Sequence, residues 1–227
     1  MKKIISIMML MIISLSVYAN DIYINQSGAT LDLDVLQDGQ NNTIGSSSTA
    51  SSVIGATTNL AITQIGDSNV MTFDVNGATY TGTFSVTGNS NNIDFNCDSG
   101  GSNSSCGTAT ASIVWVGSSN DIDIDIGETS SATGATVSIT GASGSDSNTV
   151  LGTIDGNSVI LTLSINGDTN NFLVDIDGNG DSIGHTYVHT HTGSIADVDI
   201  TQSGIYDNMI TLTTSGDNHD IDIIQRD

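Results

Sequence analysis

Proline is absent from this chain of 227 residues, lysine and arginine together number three, and Glu128 is the single glutamate. The three cations are Lys2, Lys3 and Arg226, and 24 of the 25 acids are aspartate. Without Lys, Arg and Glu the strong surface helix formers are missing, which argues against a helical domain. A nucleic-acid partner is excluded as well, because phosphate contacts need cations and this chain repels a polyanion. Anionic membrane surfaces are disfavoured for the same reason. Aromatic residues make up 4%, too few and too scattered for a sugar-stacking platform. Catalysis finds no support either. There is no nucleophile elbow with triad partners, no Gly-x-Gly-x-x-Gly ahead of a helix, and no lysine beyond residue 3 for Schiff-base or phosphate chemistry. The chain reads as non-enzymatic, with no cofactor.

What it holds instead is Ile, Val, Thr, Ser, Asn, Asp and 25 glycines, the composition of short strands and tight turns. The first residues read as an export signal: Lys2 and Lys3, an apolar stretch from Ile4 to Val17, and a small-residue cleavage site ending at Ala19. Cleavage there leaves residues 20–227 as a single secreted domain at the cell surface or beyond it, with no membrane insertion. Both lysines depart with residues 1–19, and one arginine against 25 acids gives a formal charge of −24. Export also permits disulfides, so Cys97 and Cys106, set in a Gly/Ser/Asn-rich stretch, are expected to pinch off a loop.

A turn of the form Gly-x-x-Asn recurs along the chain. It pairs Gly39 with Asn42, Gly66 with Asn69, Gly88 with Asn91, Gly117 with Asn120 and Gly167 with Asn170. Looser copies run from Gly144 to Asn148, from Gly204 to Asn208 and from Gly216 to Asn218. The glycines follow one another at 27, 22, 29, 27, 23, 37 and 12 residues, a ragged period clustering in the twenties. Between the turns lie stretches of two-residue alternation, such as LDLDV at 31–35, DIDIDI at 121–126 and FLVDI at 172–176. Such alternation puts Ile, Leu and Val on one face and Asp or Thr on the other. Strand–turn–strand units of this size, unable to bury an apolar face alone, predict an all-β fold: a β-solenoid of stacked repeats. Gln26, Gln37, Gln64, Gln202 and Gln225 lie at strand ends, either as polar flanks of turns or as rungs of side-chain amide ladders along the stack.

The segment Ala61 to Asn69, AITQIGDSN, resembles the curlin repeat of bacterial curli subunits, whose core reads Gln-x-Gly-x-x-Asn after a short strand. Gln37 to Asn42 gives another copy, and Gln202-Ser203-Gly204 begins a third that ends at Asn208. Elsewhere Val86, Trp115 or Ile165 replaces the glutamine and Gly-x-x-Asn alone remains. The resemblance implies a β-solenoid subunit that polymerises with itself into an extracellular amyloid fibre for adhesion and biofilm matrix, assisted by secretion and nucleator proteins. The sequence is compatible with growth, since no proline or exported lysine blunts a strand edge. Aspartate rows oppose it, so assembly is expected to quicken as pH falls or calcium is added.

Two clusters invite a metal. Asp175, Asp177, Asn179 and Asp181 resemble the start of a calcium loop, though the twelfth position is Thr186 and an acidic β-turn is the plainer reading. His185, His189 and His191 share a face if HTYVHTH is a strand, and a solvated face is the expectation over a shared metal. A different class of function, a soluble acidic adhesin or receptor-binding module with calcium dependence, stands as the rival.

Overall fold

Alternation of Ile, Val and Leu with Asp and Thr builds strands throughout the computed structural model, which describes residues 21–39, 42–45, 50–66, 68–97, 107–127, 134–156, 158–177, 185–204 and 208–226. The strands are β1 (Asp21–Ile22), β2 (Asn25–Asp38), β3 (Thr43–Ile44), β4 (Ser51–Ile65), β5 (Val70–Thr87), β6 (Asn92–Cys97), β7 (Thr108–Val116) and β8 (Asp121–Ile126). They continue with β9 (Gly134–Gly141), β10 (Thr149–Asp155), β11 (Val159–Asn166), β12 (Asn170–Asp177), β13 (Thr186–Thr192), β14 (Ala196–Ser203), β15 (Met209–Ser215) and β16 (Asp220–Arg226). Every pairing is parallel and in register, in the order β15-β13-β11-β9-β7-β5-β6-β8-β10-β12-β14-β16. This is an all-β solenoid. Even-numbered strands from β6 form one wall, odd-numbered strands from β7 form the other, and β5 belongs to both. The proposed signal segment lies outside the described residues.

The inward faces of the two walls make one core. On the odd wall Val35, Ile62, Phe84, Ile113, Ile139, Leu163, His189 and Leu212 stack in a single column. On the even wall Met71, Ile93, Ile122, Val150, Phe172, Val198 and Ile221 do the same. Bulk is matched between neighbours. Trp115 is buried over Gly141, where a Cβ would approach its ring to 2.7 Å, and Tyr80 lies across Gly82. The large side chains Tyr80, Phe84 and Phe95 fill one coil with ring centroids 4.9 and 5.8 Å apart.

Early strands run longer than the alternation alone suggests. Each of β2, β4 and β5 passes through the corner from even to odd wall without leaving the sheet, at the triplets Gly28-Ala29-Thr30, Gly55-Ala56-Thr57 and Gly77-Ala78-Thr79. The three glycines stack, and a Cβ on Gly77 would lie 2.1 Å from the Gly55 carbonyl oxygen. Only a residue without a side chain lets one backbone cross so close beneath another.

The histidines correct the sequence reading. His185, His189 and His191 do share a face, but it is the buried one, not a solvated one. Apolar neighbours above and below in the columns, such as Leu163 and Leu212 around His189, carry the imidazoles inward with the strand.

Candidate functional site

The recurring turn turns the chain from the odd wall to the even wall, and its geometry explains its residues. The first glycine has a strongly positive φ, 141° at Gly66, 145° at Gly88 and 131° at Gly117. Its Cα also passes beneath the preceding coil: a Cβ on Gly117 would meet the Gly88 carbonyl oxygen at 1.9 Å. The third residue adopts the left-handed region, at Ser68, Ser90, Ser119 and Thr169. The fourth is the asparagine, whose amide enters the core edge.

These asparagines form a continuous ladder. The backbone N–H of Asn42 donates to Asn69 Oδ1 at 3.0 Å, Asn69 to Asn91 at 2.8 Å, Asn91 to Asn120 at 3.0 Å, Asn120 to Asn148 at 2.9 Å and Asn148 to Asn170 at 3.0 Å. Side-chain nitrogens return to their own turns at five of the six: Asn69, Asn120 and Asn170 donate to the carbonyls of Gly66, Gly117 and Gly167 at 2.9–3.0 Å, Asn42 to Gly39 and Asn148 to Ser145, while Asn91 donates to Asn120 Oδ1. The spacing of three residues is what lets one amide satisfy its own turn and the coil before it. All six side chains are buried, so the ladder answers backbone groups that would otherwise be stranded.

Beyond Asn170 the ladder changes residues. Gly193 opens the next turn and Ala196 occupies the asparagine place, paired with Asn170. In the last turn His219 takes the role: the Ala196 N–H donates to its Nδ1 at 3.4 Å. The ragged glycine spacing is explained here. Gly204, expected to follow Gly167, sits at the opposite corner, and the turn from Gly193 that breaks the 37-residue gap lacks an asparagine. Gln202, Gly204 and Asn208 therefore lie at the other corner. Asn208 Oδ1 there accepts the His185 N–H at 3.1 Å, and His185 Nδ1 accepts that of Val159 at 3.2 Å.

The glutamines fall into two groups. Gln64 Nε2 donates to Gln37 Oε1 at 2.7 Å on the odd wall, and Gln225 Nε2 donates to Gln202 Oε1 at 3.2 Å on the even wall. In the column of Gln37 and Gln64, Val86, Trp115, Gly141 and Ile165 follow, so that ladder is short. Gln26 heads the other column, which ends in Gln202 and Gln225.

Among the described residues, no strand covers either end of the solenoid. At the C-terminal end Ile221 and Ile223 are 37% and 46% exposed, although Val198 and Ile200, the residues they pair with, are 0% and 1% exposed. Every position of β16 is exposed, and Ile210 and Leu212 on β15 are half-buried. At the N-terminal end Ile22, Ile24, Leu31, Leu33 and Val35 are only partly covered. Among the described residues, the inward columns thus end without a covering strand at each end.

Cys97 is buried at the end of β6 and disulfide-bonded; Cys106, the other cysteine of the chain, lies outside the described residues. Asp175 and Asp177 point outward from β12, and Asp177 Oδ1 accepts the Ser203 hydroxyl at 2.7 Å. Burial, then the neighbouring Asp177, raises the Asp175 carboxyl above its usual range. Asn179 and Asp181 lie outside the described residues, among which no group of three His, Cys, Asp or Glu is placed to hold a metal. The imidazoles instead pack on each other and on Phe172, with ring centroids of 4.6 Å for Phe172–His189 and 5.3 Å for His191–His219. Burial, then His191, depresses His189 to about 3.

No protein-family model, no curated protein and no solved structure matches this chain.

Proposed function

We propose that the chain is a secreted structural subunit that stacks end to end on copies of itself, forming a curli-like extracellular amyloid fibre for adhesion and biofilm matrix. One observation supports this above the others: the two open ends match in register. Continuing the columns across a junction sets Ile221 on Ile22, Ile223 on Ile24 and Gln225 on Gln26 of the next copy, with Ile210 on Leu33 and Leu212 on Val35. Each is apolar on apolar or glutamine on glutamine, the pairings already used inside the molecule.

Charge is compatible with the same register. The outward row of β2 carries Asp32, Asp34 and Asp38, but the positions that would meet it on β15, Met209, Thr211 and Ser215, are uncharged. Stacked aspartates repel by about 0.9 kcal/mol per adjacent pair at roughly 4.8 Å in water. Fully burying one isoleucine offers about 1.5–3 kcal/mol, and each backbone hydrogen bond adds about 0.5–1.5 kcal/mol. Attraction wins.

The purified chain, residues 20–227, concentrated for days at neutral and mildly acidic pH, tests the reading. Filaments that resist SDS and give a meridional reflection of about 4.7–4.8 Å are expected. A chain that stays monomeric and melts in a calcium-dependent way belongs to a soluble binding module instead.

A further inference from the structure

From β5 onward the outer surfaces of the two walls are chemically opposite. On the even wall every strand from β6 to β16 presents at least one outward aspartate, from Asp94 to Asp222. On the odd wall no outward position from residue 79 of β5 through β7, β9, β11, β13 and β15 is charged. Those positions are dominated by threonine and serine held in straight ranks. Thr81, Thr110 and Thr136 lie side by side in one rank, and Thr140, Ser164 and Thr190 in another. In-register parallel strands fix the rank spacing at about 4.8 Å along the solenoid and about 6.6 Å between same-face residues of one strand. The result is a two-dimensional lattice of hydroxyls and methyls.

A dry partner fits this surface poorly. Packing it against a second copy would take dozens of hydroxyl hydrogen-bond sites out of water, and stranded hydroxyls cost free energy. A polysaccharide would need aromatic faces to stack on. Trp115, Tyr80, Phe84 and Tyr187 all point into the core, and no aromatic lies on the outside of this wall among the described residues. Ordered water is different. Each hydroxyl keeps a water partner, each methyl restricts its neighbouring waters, and a periodic solid matches a periodic array where a dissolved ligand cannot. Ice is also uncharged, in keeping with the absence of outward carboxylates on this wall from residue 79 onward; Asp32, Asp34 and Asp38 lie on its first strand, β2. We propose that the outward face of the odd wall is an ice-binding surface. It exists on a single chain and does not depend on fibre formation.

Thermal hysteresis and ice-crystal shape, measured on the purified residues 20–227, test this directly. Faceted crystals and a gap between melting and freezing points are expected. The gap should be lost in Thr136→Lys with Thr162→Lys, and kept in Asp123→Asn with Asp175→Asn. Circular dichroism confirms folding in each case, and a single Thr136→Gln, expected to narrow the gap, serves if the lysine pair does not fold. A folded wild-type chain with no gap, or a gap that survives the threonine substitutions, overturns the proposal. So does a lateral dimer in sedimentation, or retention on cellulose or chitin without any gap, that the same threonine substitutions abolish.

Discussion

At Asn120 a single side chain serves four groups: its Oδ1 accepts from the Asn91 backbone and side chain, and its Nδ2 donates to Gly117 and Asn148. Asn120→Ala strands the Asn91 N–H and the Gly117 carbonyl in a buried corner, with an expected loss of about 2–4 kcal/mol in urea unfolding. Asn120→Asp keeps the acceptor and should lose less. His189 is a second sensitive residue. Its folded pKa of about 3 lies below the ordinary value of 6.5, so the unfolded chain binds the proton more readily. Stability is full above about pH 6.5 and falls as pH drops towards about 3. His189→Leu, placed between Leu163 and Leu212 in its column, should flatten that decline in denaturation measured from pH 7 to pH 4. Asn69 and its equivalents were legible in the sequence because one residue type repeats at one spacing. Ala196 and His219 were not. The ladder position there is set by backbone register, while the side chain that fills it has changed chemistry.

For the strands, outcome depends on corners and edges. Gly77→Ala would drive a methyl against the Gly55 carbonyl, at 2.1 Å before relaxation, and should destabilise the early coils in hydrogen exchange more than the late ones. At the open edge, Thr211→Asp would place a carboxylate opposite Asp34 of the next copy, in the register that Val188 and Thr162 already define. Monomer stability should be unchanged within about 0.5 kcal/mol, while elongation from fibre seeds slows, and more so at low salt. Equal elongation rates at all salt concentrations would remove the charge-matching argument. Strand existence was readable from alternation at 121–126 and 172–176. The continuity of β4 and β5 through their corners was not, because glycine usually signals an interruption, and here it permits close backbone approach. The inward direction of His185, His189 and His191 escaped for a related reason. Parity groups them, but only the neighbouring columns say which side is the core.

On the scale of the whole molecule, the proposed assembly sets attraction between the described end strands against repulsion between walls of one dominant charge. The solenoid itself was legible from repeat length and alternation, since units of two dozen residues have no way to bury a face except by stacking. The asymmetry between an acidic even wall and an odd wall uncharged from residue 79 onward was not, because alternating sequence shows which residues face out and not which wall they face out from. The claim on which the account turns is that each end serves as template for the other. Cryo-electron microscopy of fibres grown from the purified chain tests it most directly. The account predicts sheets continuing unbroken through the junction, with Ile221 and Ile223 of one copy stacked on Ile22 and Ile24 of the next. Ends meeting head to head, a junction with solvent between the copies, or no filament at all would contradict it.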